Sequence, residues 1–375
     1  MAKRPCKLVL PLEDLDADTI REIMVRLPVK SLLRFKCVSN EWNTLIRQPD
    51  FIACHLNRAI SESKEEKGHV FIFQDRIGKF YCIKYFEGSS ADEGRVVIRE
   101  PRWRPGFLRV RSCCDGLLLL TLQAPRRPTS ALVWNPAISE FIDIPAPPSA
   151  HNPTAIWGMG YDALGHDYKV VRAPSEYKDP SRQAEVFSLK TKVWKTIDYP
   201  GGCWYYISMK KPVTANRNPH WIASIWGRDD RVVLCFDASE EKFVEVCTPA
   251  EAKSDCVRNF GIIHIFSVKG CLGMSTCSKW KVSIWLMKEY GVHESWEKLY
   301  TIQIQPWNRI YVLHRPVGIT ESGSVLFNHP EEVLGLYDVE GEFARNTFDR
   351  GEISLGGEVE LIPYFQSLVS PKFAN

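Results

Sequence analysis

The sequence has no long apolar run of the kind that membrane spans and secretory leaders require. Nothing in it approaches the roughly 18 consecutive apolar residues of a transmembrane helix, and Pro11 interrupts the short apolar stretch that begins at Leu8. An excess of one charge is also missing, because 48 Lys and Arg stand against 45 Asp and Glu, whereas a general nucleic-acid binder carries a marked basic excess. We therefore expect a soluble protein of the cytoplasm, with the nucleus as a second compartment, that binds neither membranes nor nucleic acid.

The sequence also lacks the motifs of the common enzymes and metal sites. It contains no P-loop, no G-x-S-x-G, no H-E-x-x-H and no C-x-x-C pair, and its nine histidines are dispersed singly. Many of its twelve cysteines stand in apolar strings, as Cys235 does within 232–236, which favours buried free thiols over disulfides in a reducing compartment. We predict no metal, no cofactor and no catalytic residue.

Charge and apolar patterning divide the chain into a small head and a large body. Residues 1–60 hold ten Lys and Arg against seven Asp and Glu, and the other 315 residues hold 38 of each sign. In the head, apolar residues at i, i+3, i+4 and i+7 predict a first helix, with Asp16 or Asp18 as its N-cap. These apolar residues are Ile20, Ile23, Met24 and Leu27.

Three further short helices are predicted in the head. Pro28 ends the first helix and suits the first turn of the second, Ser39 can cap the third, and Pro49 opens the fourth. Four short helices in about 50 residues bury too little surface to be stable alone. The head therefore either completes its core against a partner protein or caps the body behind it.

The body carries a repeat of about 50 residues. Each unit has a hydrophobic run ending in an aromatic residue, a polar turn, and a second aromatic residue further along. The leading aromatics lie 53, 53, 49, 49 and 52 residues apart, at Tyr81, Trp134, Phe187, Phe236, Trp285 and Tyr337. Such a period with strand–turn–strand content predicts a kelch-like β-propeller of six blades, whereas the main rival, a two-sheet sandwich, does not explain the regular spacing.

The fold class expected is thus mainly β with an N-terminal helical domain. We place the helical domain at 8–58, a polar and charged linker at 59–68, and the propeller domain at 69–375.

Three segments of the head, 10–15, 23–39 and 42–46, carry a recognisable motif. Together they closely resemble the F-box in its plant form. This resemblance implies a module that docks on a Skp1-type adaptor and, through it, on the cullin and RING subunits of a ubiquitin ligase. It assigns seven residues to face or support the adaptor, namely Leu10, Pro11, Leu27, Pro28, Leu32, Leu33 and Val38. Trp42, Leu45 and Ile46 are assigned to the core of the helical bundle.

Eight segments of the body carry a second resemblance. They are 115–118, 133–137, 160–162, 167–171, 184–189, 287–292, 294–299 and 367–371. They look like the hallmarks of the F-box-associated domain of a large plant family. Asp115 stands where that family more usually has Asn, and Asp suits such a turn as well. Within the family, segments 55–58 and 287–302 are similar to the pollen S-locus F-box proteins and their relatives.

Two features of the body are candidates for binding a target protein. One is a group of arginines interleaved with aromatic residues, and the other is a set of tryptophans outside the repeat register (Trp157, Trp204, Trp221, Trp226 and Trp307). Arg and Trp are frequent at interface hot spots, and Arg suits acidic or phosphorylated partners. A solvated loop explains the arginines equally well, and packing between blades explains the tryptophans. The candidate residues are Arg99, Arg102, Trp103, Arg104, Arg109, Arg126, Arg127, Trp204 and Tyr205.

We expect a substrate receptor of a Skp1–cullin–F-box ubiquitin ligase, with no catalysis of its own. The target would be a self-incompatibility ribonuclease if the S-locus resemblance holds, and an immune or other regulatory protein if it does not. Two alternatives stay open: an F-box scaffold or sequestering protein that acts outside a ligase, and a propeller enzyme or small-molecule binder with its ligand on the axis.

Overall fold

The computed structural model describes nineteen stretches of the chain. They are residues 16–65, 68–75, 78–86, 96–98, 107–123, 130–149, 155–175, 183–199, 205–207, 211–225, 231–249, 251–252, 264–278, 281–303, 315–320, 322–329, 333–337, 343–346 and 361–372. The first of them contains four helices, α1 (Ala17–Val25), α2 (Val29–Phe35), α3 (Asn40–Arg47) and α4 (Pro49–Glu65).

The helix ends follow the capping residues that the sequence offers. The Asp16 carboxylate accepts a hydrogen bond from the backbone N–H of Thr19 (2.7 Å), and the Ser39 hydroxyl accepts one from the N–H of Glu41 (3.1 Å). Pro28 occupies the N-cap position of α2. The four helices share one apolar core, whose fully or nearly fully buried members include Met24, Leu32, Ile46 and Phe51.

Two expectations for the head differ from the structure. Ile23, assigned to the buried face of the first helix, is 48% exposed, and Val25 is buried instead. Helix α1 also ends at Val25, so Leu27, the last residue of the predicted spacing, lies beyond the helix. The second difference is the predicted linker at 59–68, which is helical as far as Glu65 because α4 continues into it. Charged residues such as Lys and Glu are good helix formers, so a charged segment can belong to a helix as readily as to a linker.

The strands of the described residues form six antiparallel sheets, which we number as blades. Blade 1 contains β1 (Gly68–Gln74), β2 (Phe80–Phe86), β3 (Val96–Ile98) and β25 (Ile362–Pro363). Blade 2 contains β4 (Phe107–Cys114), β5 (Leu117–Gln123), β6 (Ser130–Asn135) and β7 (Glu140–Ile144). Blade 3 contains β8 (Ile156–Asp162), β9 (Asp167–Ala173), β10 (Gln183–Ser188) and β11 (Trp194–Asp198).

The remaining blades follow in chain order. Blade 4 contains β12 (Tyr205–Ile207), β13 (Val213–Ala215), β14 (Asn218–Ile225), β15 (Arg231–Asp237) and β16 (Lys242–Val246). Its β12 and β13 both pair with β14, so they share the innermost position. Blade 5 contains β17 (His264–Val268), β18 (Cys271–Ser278), β19 (Lys281–Met287) and β20 (Trp296–Gln303). Blade 6 contains β21 (Arg315–Ile319), β22 (Val325–His329), β23 (Val333–Tyr337) and β24 (Phe343–Asn346).

Hydrophobic clusters between successive blades close the sheets into a ring. Each cluster draws buried side chains from two neighbouring blades, as Ile72 with Leu120, Leu119 with Val170, Val186 with Leu234, Val233 with Met274, Ile284 with Phe327, and Leu326 with Phe71. The last pair returns to blade 1, where β25 pairs with β1. The predicted propeller is therefore confirmed, and its described strands form six sheets.

The repeat seen in the sequence marks one strand of every blade. The six leading aromatics lie in the third strand from the axis, at Tyr81, Trp134, Phe187, Phe236, Trp285 and Tyr337. The second aromatic of a unit lies on the fourth strand. Phe187 is paired with Trp194 (ring centroids 5.2 Å apart) and Phe236 with Phe243 (5.4 Å). In these two blades the repeat therefore corresponds to aromatic packing between the third and fourth strands.

The ring has two different ends. One end carries the turns that follow the innermost strands, at 115–116, 216–217 and 269–270. The helices pack at this end, where Leu56 of α4 belongs to the same hydrophobic cluster as Cys114. We call this the helix end and the opposite one the far end. Because neighbouring strands are antiparallel, the connections from second to third strands and between successive blades leave from the far end.

Candidate functional site

The helical unit exposes apolar side chains at several of the predicted adaptor positions. Val38 is 66% exposed, Pro28 is exposed, and Leu27 and Leu33 are partly buried. Leu32 differs, because it is 0% exposed and lies in the core of the helices. It can support such a surface but cannot contact a partner. Leu10 and Pro11 lie outside the described residues.

One exposed apolar side chain was missed by sequence reasoning. Ile23 belongs to the same helical unit, and together with Val38 it accounts for two of the six large hydrophobic side chains that are exposed in the described chain. Phe35 and Trp42, in contrast, pack ring against ring at 5.1 Å, and Trp42 lies against the helical core as expected.

A buried amide connects the helical unit to the propeller. The Asn135 side chain is 0% exposed; its Nδ2 donates to the carbonyl oxygens of Ser367 (3.0 Å) and Val369 (2.8 Å), and its Oδ1 accepts from the N–H of Ala137 (2.9 Å). These bonds fix residues 367–369 against blade 2, so that Leu368 enters the helical core. The sequence showed Asn135 only as part of a family motif, with no role attached.

Most of the predicted target-binding residues lie outside the described residues: Arg99, Arg102, Trp103, Arg104, Arg126, Arg127 and Trp204. The strands that flank six of them meet the far end of the ring. Strands β3 and β5 end there, at Ile98 and Gln123, and strands β4 and β6 begin there, at Phe107 and Ser130. Arg109 is exposed on β4, and Tyr205 begins β12 opposite Ile225, so both belong to innermost strands near the far end.

Two tryptophans considered for recognition belong to the core instead. Trp157 is 2% exposed between blades 2 and 3, and Trp221 is 0% exposed between blades 3 and 4. Packing between blades is therefore the explanation for these two. Trp226 and Trp307 lie outside the described residues.

A cavity of about 300 Å³ lies on the axis of the ring. It is lined by innermost strands of blades 1, 2, 4, 5 and 6, and Ile60 of α4 borders it at the helix end. The turn at Asp115 and Gly116 reaches this end with φ of 51° and 79°, which is the two-residue hairpin that Asp-Gly favours.

Asp115 joins three blades at the helix end of the cavity. Its carboxylate accepts hydrogen bonds from the Tyr168 hydroxyl (2.7 Å) and from Arg217, through Nε (2.8 Å) and Nη2. The Arg217 guanidinium lies 3.5 Å from the centre of the Tyr161 ring. Burial and the nearby carboxylate raise the pKa of Tyr168 well above its usual value, so the hydroxyl remains a donor.

A second polar cluster resembles catalytic chemistry only in composition. His220 donates from Nδ1 to the carbonyl of Asn218 (2.9 Å), which leaves Nε2 to accept from the Tyr290 hydroxyl (2.8 Å), and Cys235 Sγ lies 3.4 Å from that hydroxyl. Burial lowers the pKa of His220 to about 4 and raises the pKa of Cys235 to about 12. A buried neutral thiol beside a buried neutral imidazole provides no nucleophile. The cluster therefore joins blades 4 and 5.

Within the described ranges, no group of three His, Cys, Asp or Glu side chains is placed to hold a metal ion. Within the same ranges, no helix is both long and apolar enough to cross a membrane. Eight cysteines within these ranges are free thiols, and four of them, Cys82, Cys113, Cys114 and Cys235, are buried.

Comparison with known proteins gives two family matches. Residues 12–53 match the F-box domain, and residues 107–371 match the F-box associated beta propeller domain. An F-box/kelch-repeat protein of Arabidopsis thaliana is 26% identical over 374 residues, covering 96% of both chains. The F-box protein CPR1 of the same plant is 28% identical over 359 residues, covering 87% of this chain and 82% of the relative.

Solved structures show only distant likeness. TolB from Acinetobacter baumannii matches with a TM-score of 0.40 and 8% identity, covering 81% of this chain and 65% of that one. A luciferin-regenerating enzyme matches with a TM-score of 0.35 and 12% identity, covering 81% of this chain and 94% of that one.

Proposed function

Because the chain belongs to the plant F-box proteins that carry an F-box-associated β-propeller domain, we propose that it is the substrate-recognition subunit of a Skp1–cullin–F-box ubiquitin ligase. In this function the helical unit binds a Skp1-like adaptor, and the propeller binds a target protein. The protein itself breaks and forms no bonds. It contributes proximity, which raises the effective concentration of target lysines near the enzyme that carries ubiquitin.

The observation that carries this proposal is the apolar surface of the helical unit. Val38, Ile23 and Pro28 are exposed although the unit already has a buried core of its own. Burying a Val or Ile side chain contributes about 1.5–3 kcal/mol, so a partner that covers them gains substantial affinity.

The attachment of the helices to the ring supports the same function. Leu56 packs with blade 2, and the turn residues Ala137 and Ile138 pack against the helical core. A receptor needs such a fixed arrangement, because the distance between the bound adaptor and the bound target decides which lysines reach the ubiquitin donor.

The far end of the propeller is the surface that we assign to the target. It faces away from the helices, so a protein bound there does not compete with the adaptor. The described candidates Arg109 and Tyr205 belong to strands near that end. Arg and Tyr are both frequent in the hot spots of interfaces.

The adaptor step is tested with two substitutions on exposed residues. Val38→Asp and Ile23→Asp should each weaken binding to a purified Skp1-like adaptor by 10-fold or more, measured by calorimetry, because each places a charge in an apolar contact. Leu164→Asp is the matched control, since Leu164 is 78% exposed on the propeller and its substitution should leave adaptor affinity unchanged. Adaptor binding by Val38→Asp at the strength of the unmodified protein would contradict the proposal, as would no binding by the unmodified protein.

The ligase step is tested by trapping the target. A chain that carries Val38→Asp should retain target proteins in affinity purification from plant cells while failing to lower their abundance. The reconstituted ligase with the unmodified chain should then transfer ubiquitin to the trapped protein, whether that is a self-incompatibility ribonuclease or an immune or other regulatory protein. A trapped protein whose abundance and ubiquitination are the same with both chains would instead identify a scaffold that acts outside a ligase.

A further inference from the structure

Residues 361–372, which we call the closing segment, attach to the ring and to the helices mainly through side chains. The segment contributes two residues to β25, and residues 364–370 belong to no helix or strand. Leu368 enters the core of the helices, and the Ser367 hydroxyl donates to the carbonyl of Asp115 (2.6 Å). A segment that is held by a few such contacts can open locally while the blades stay folded.

Ser370 gives the closing segment a hydrogen bond to a charged group of blade 2. Its hydroxyl donates to Oε2 of Glu140, the first residue of β7, at 2.6 Å, and accepts from the backbone N–H of Lys372 (3.1 Å). Ser370 and Glu140 are both partly exposed. The bond to the carboxylate needs the hydroxyl proton, so an anionic group in place of this proton removes the bond and repels Glu140.

The residue after Ser370 is Pro371, and this is the one Ser-Pro pair in the sequence. One class of protein kinases selects a serine or threonine that is followed directly by proline. The sequence also has one Thr-Pro pair, but its Thr248 is only 6% exposed. Proline disfavours helical backbone at the residue before it, which suits the extended form in which kinases bind their substrates. Ser370 therefore has the sequence context of a phosphorylation site.

We propose that Ser370 is phosphorylated by a proline-directed protein kinase, and that this phosphorylation releases the closing segment from the ring. In the transfer, the Ser370 oxygen bonds to the γ-phosphorus of ATP while the bond from that phosphorus to the β,γ-bridging oxygen breaks. ADP leaves, and the hydroxyl proton passes to a base of the kinase. The product carries a charge of about −1.5 to −2 at pH 7 where the hydroxyl donated to Glu140.

The kinase acts on the open form of the closing segment. Val369 and Pro371, the neighbours of Ser370, are buried in the docked form, so a kinase cannot enclose the serine there. After the transfer, the segment can dock again only by bringing the phosphate into contact with the Glu140 carboxylate. The phosphate is therefore more stable in the open form, and the equilibrium shifts toward that form.

Lys36, at the end of α2, opposes this release only in part. Burial and Arg47 lower the pKa of its ammonium, whereas Glu140 acts to raise it, so the ammonium and this carboxylate attract each other. Within the described part of the chain, however, no hydrogen bond or ion pair joins Lys36 to Glu140 or to Ser370. The carboxylate is in direct contact with the Ser370 oxygen, and repulsion at contact distance is the stronger effect.

Treatment of the full chain with a kinase tests the acceptor. The probe is a mitogen-activated protein kinase with ATP, and mass spectrometry locates the phosphate, which we expect on Ser370 and not in Ser370→Ala. Asn135→Ala removes two hydrogen bonds to the closing segment and should be phosphorylated about 10-fold faster, because it populates the open form more. Thr248→Ala is the matched control, since it removes the other hydroxyl that precedes a proline and should leave phosphorylation unchanged.

Hydrogen exchange measures the release. In the chain phosphorylated at Ser370, the amides of residues 364–372 should exchange about 10-fold faster or more, because a hydrogen bond to a charged group is lost. In Glu140→Gln the acceleration should fall below about 3-fold, since the neutral amide can donate to the phosphate. Ser370→Ala after the same kinase treatment is the control and should show no acceleration.

Four results would overturn the inference. They are no phosphate on Ser370, equal phosphorylation rates in Asn135→Ala and the unmodified chain, unchanged or slower exchange after phosphorylation, or the same acceleration in Glu140→Gln. Slower exchange would show that the phosphate binds Lys36 and fixes the segment in place. The site does not depend on the proposed ligase function. Val38→Asp, which tests adaptor binding, should be phosphorylated as the unmodified chain is, so the two proposals fail separately.

Discussion

Replacing Asn135 by alanine should destabilise the protein by about 3 kcal/mol. The amide makes three hydrogen bonds to backbone groups in a site that is 0% exposed: two to the carbonyls of Ser367 and Val369, and one from the N–H of Ala137. Each such bond contributes about 1 kcal/mol net, and its loss leaves a buried polar group unpaired. The sum is a large fraction of the 5–15 kcal/mol that a typical domain has in total.

Urea unfolding and hydrogen exchange together measure this effect. Asn135→Ala should lower the free energy of unfolding and should accelerate amide exchange in residues 364–372 before the propeller as a whole opens. Asn57→Ala is the matched control, because the same substitution at an exposed position of α4 removes no buried contact and should stay within about 0.5 kcal/mol of the unmodified protein.

The reasoning would be refuted by a loss of less than about 1 kcal/mol with unchanged exchange in residues 364–372. That result would mean that apolar contacts of Leu368 and Val369 hold the segment without the amide.

Three further predictions concern the packing of the ring. Burial lowers the pKa of His220 to about 4, below the unfolded value of about 6.5, so its contribution to stability is full above pH 6.5 and falls by up to about 3 kcal/mol as the pH drops through 4. Urea unfolding at pH 7.5 to 4 should show that the free energy of unfolding depends less on pH in His220→Asn. An equal pH dependence in both proteins would contradict the assignment. Gly158→Ala places a methyl group 2.6 Å from the Trp221 ring and should lower the free energy of unfolding by about 1–3 kcal/mol in thermal denaturation, so an unchanged midpoint would exclude that clash. Arg172→Met removes the cation that lies 2.8 Å from the buried Glu185 carboxylate and should lower the free energy of unfolding by about 3–5 kcal/mol. Adding Glu185→Leu to the same chain should restore much of this loss. A double-mutant cycle that shows no coupling between the two positions would contradict the prediction.

The periodic parts of the fold were readable from the sequence because they are repeated. Every leading aromatic of the repeat lies in the third strand of a blade, and in blades 3 and 4 its ring packs against an aromatic ring of the fourth strand. Local capping was also readable, because one side chain and one nearby N–H suffice to define a cap. Ser39 caps α3 as expected, and Asp16 is the one of the two candidates, Asp16 and Asp18, that caps α1.

The exposure of single residues was not readable in the same way. Ile23 of α1 and Leu32 of α2 are both apolar residues of short helices, and only the packing of the four helices leaves Ile23 exposed and Leu32 buried. Short helices have too few turns for periodicity to fix their rotation.

The axial cavity could not be read from sequence at all. Arg111, Lys269 and Arg315 are separated by at least 46 residues from one another along the chain, and ring closure alone brings them together. The strand that carries Arg111 also has a bulge between Val110 and Ser112, which alters the alternation of side chains that a pattern would assume. Lys269 and Arg315 stand in no motif that would mark them as candidates.

The closure of blade 1 dictates when this protein can fold during its synthesis. Its innermost strand, Ile362–Pro363, pairs with Phe71 and Ile72, which the ribosome makes about 290 residues earlier. At about 5–20 residues per second, β1 waits for roughly 15–60 seconds with an unpaired edge. The helical core waits as long for Leu368. The nascent chain therefore needs protection from aggregation for most of its synthesis, and the helices and the ring reach their final packing in one late step.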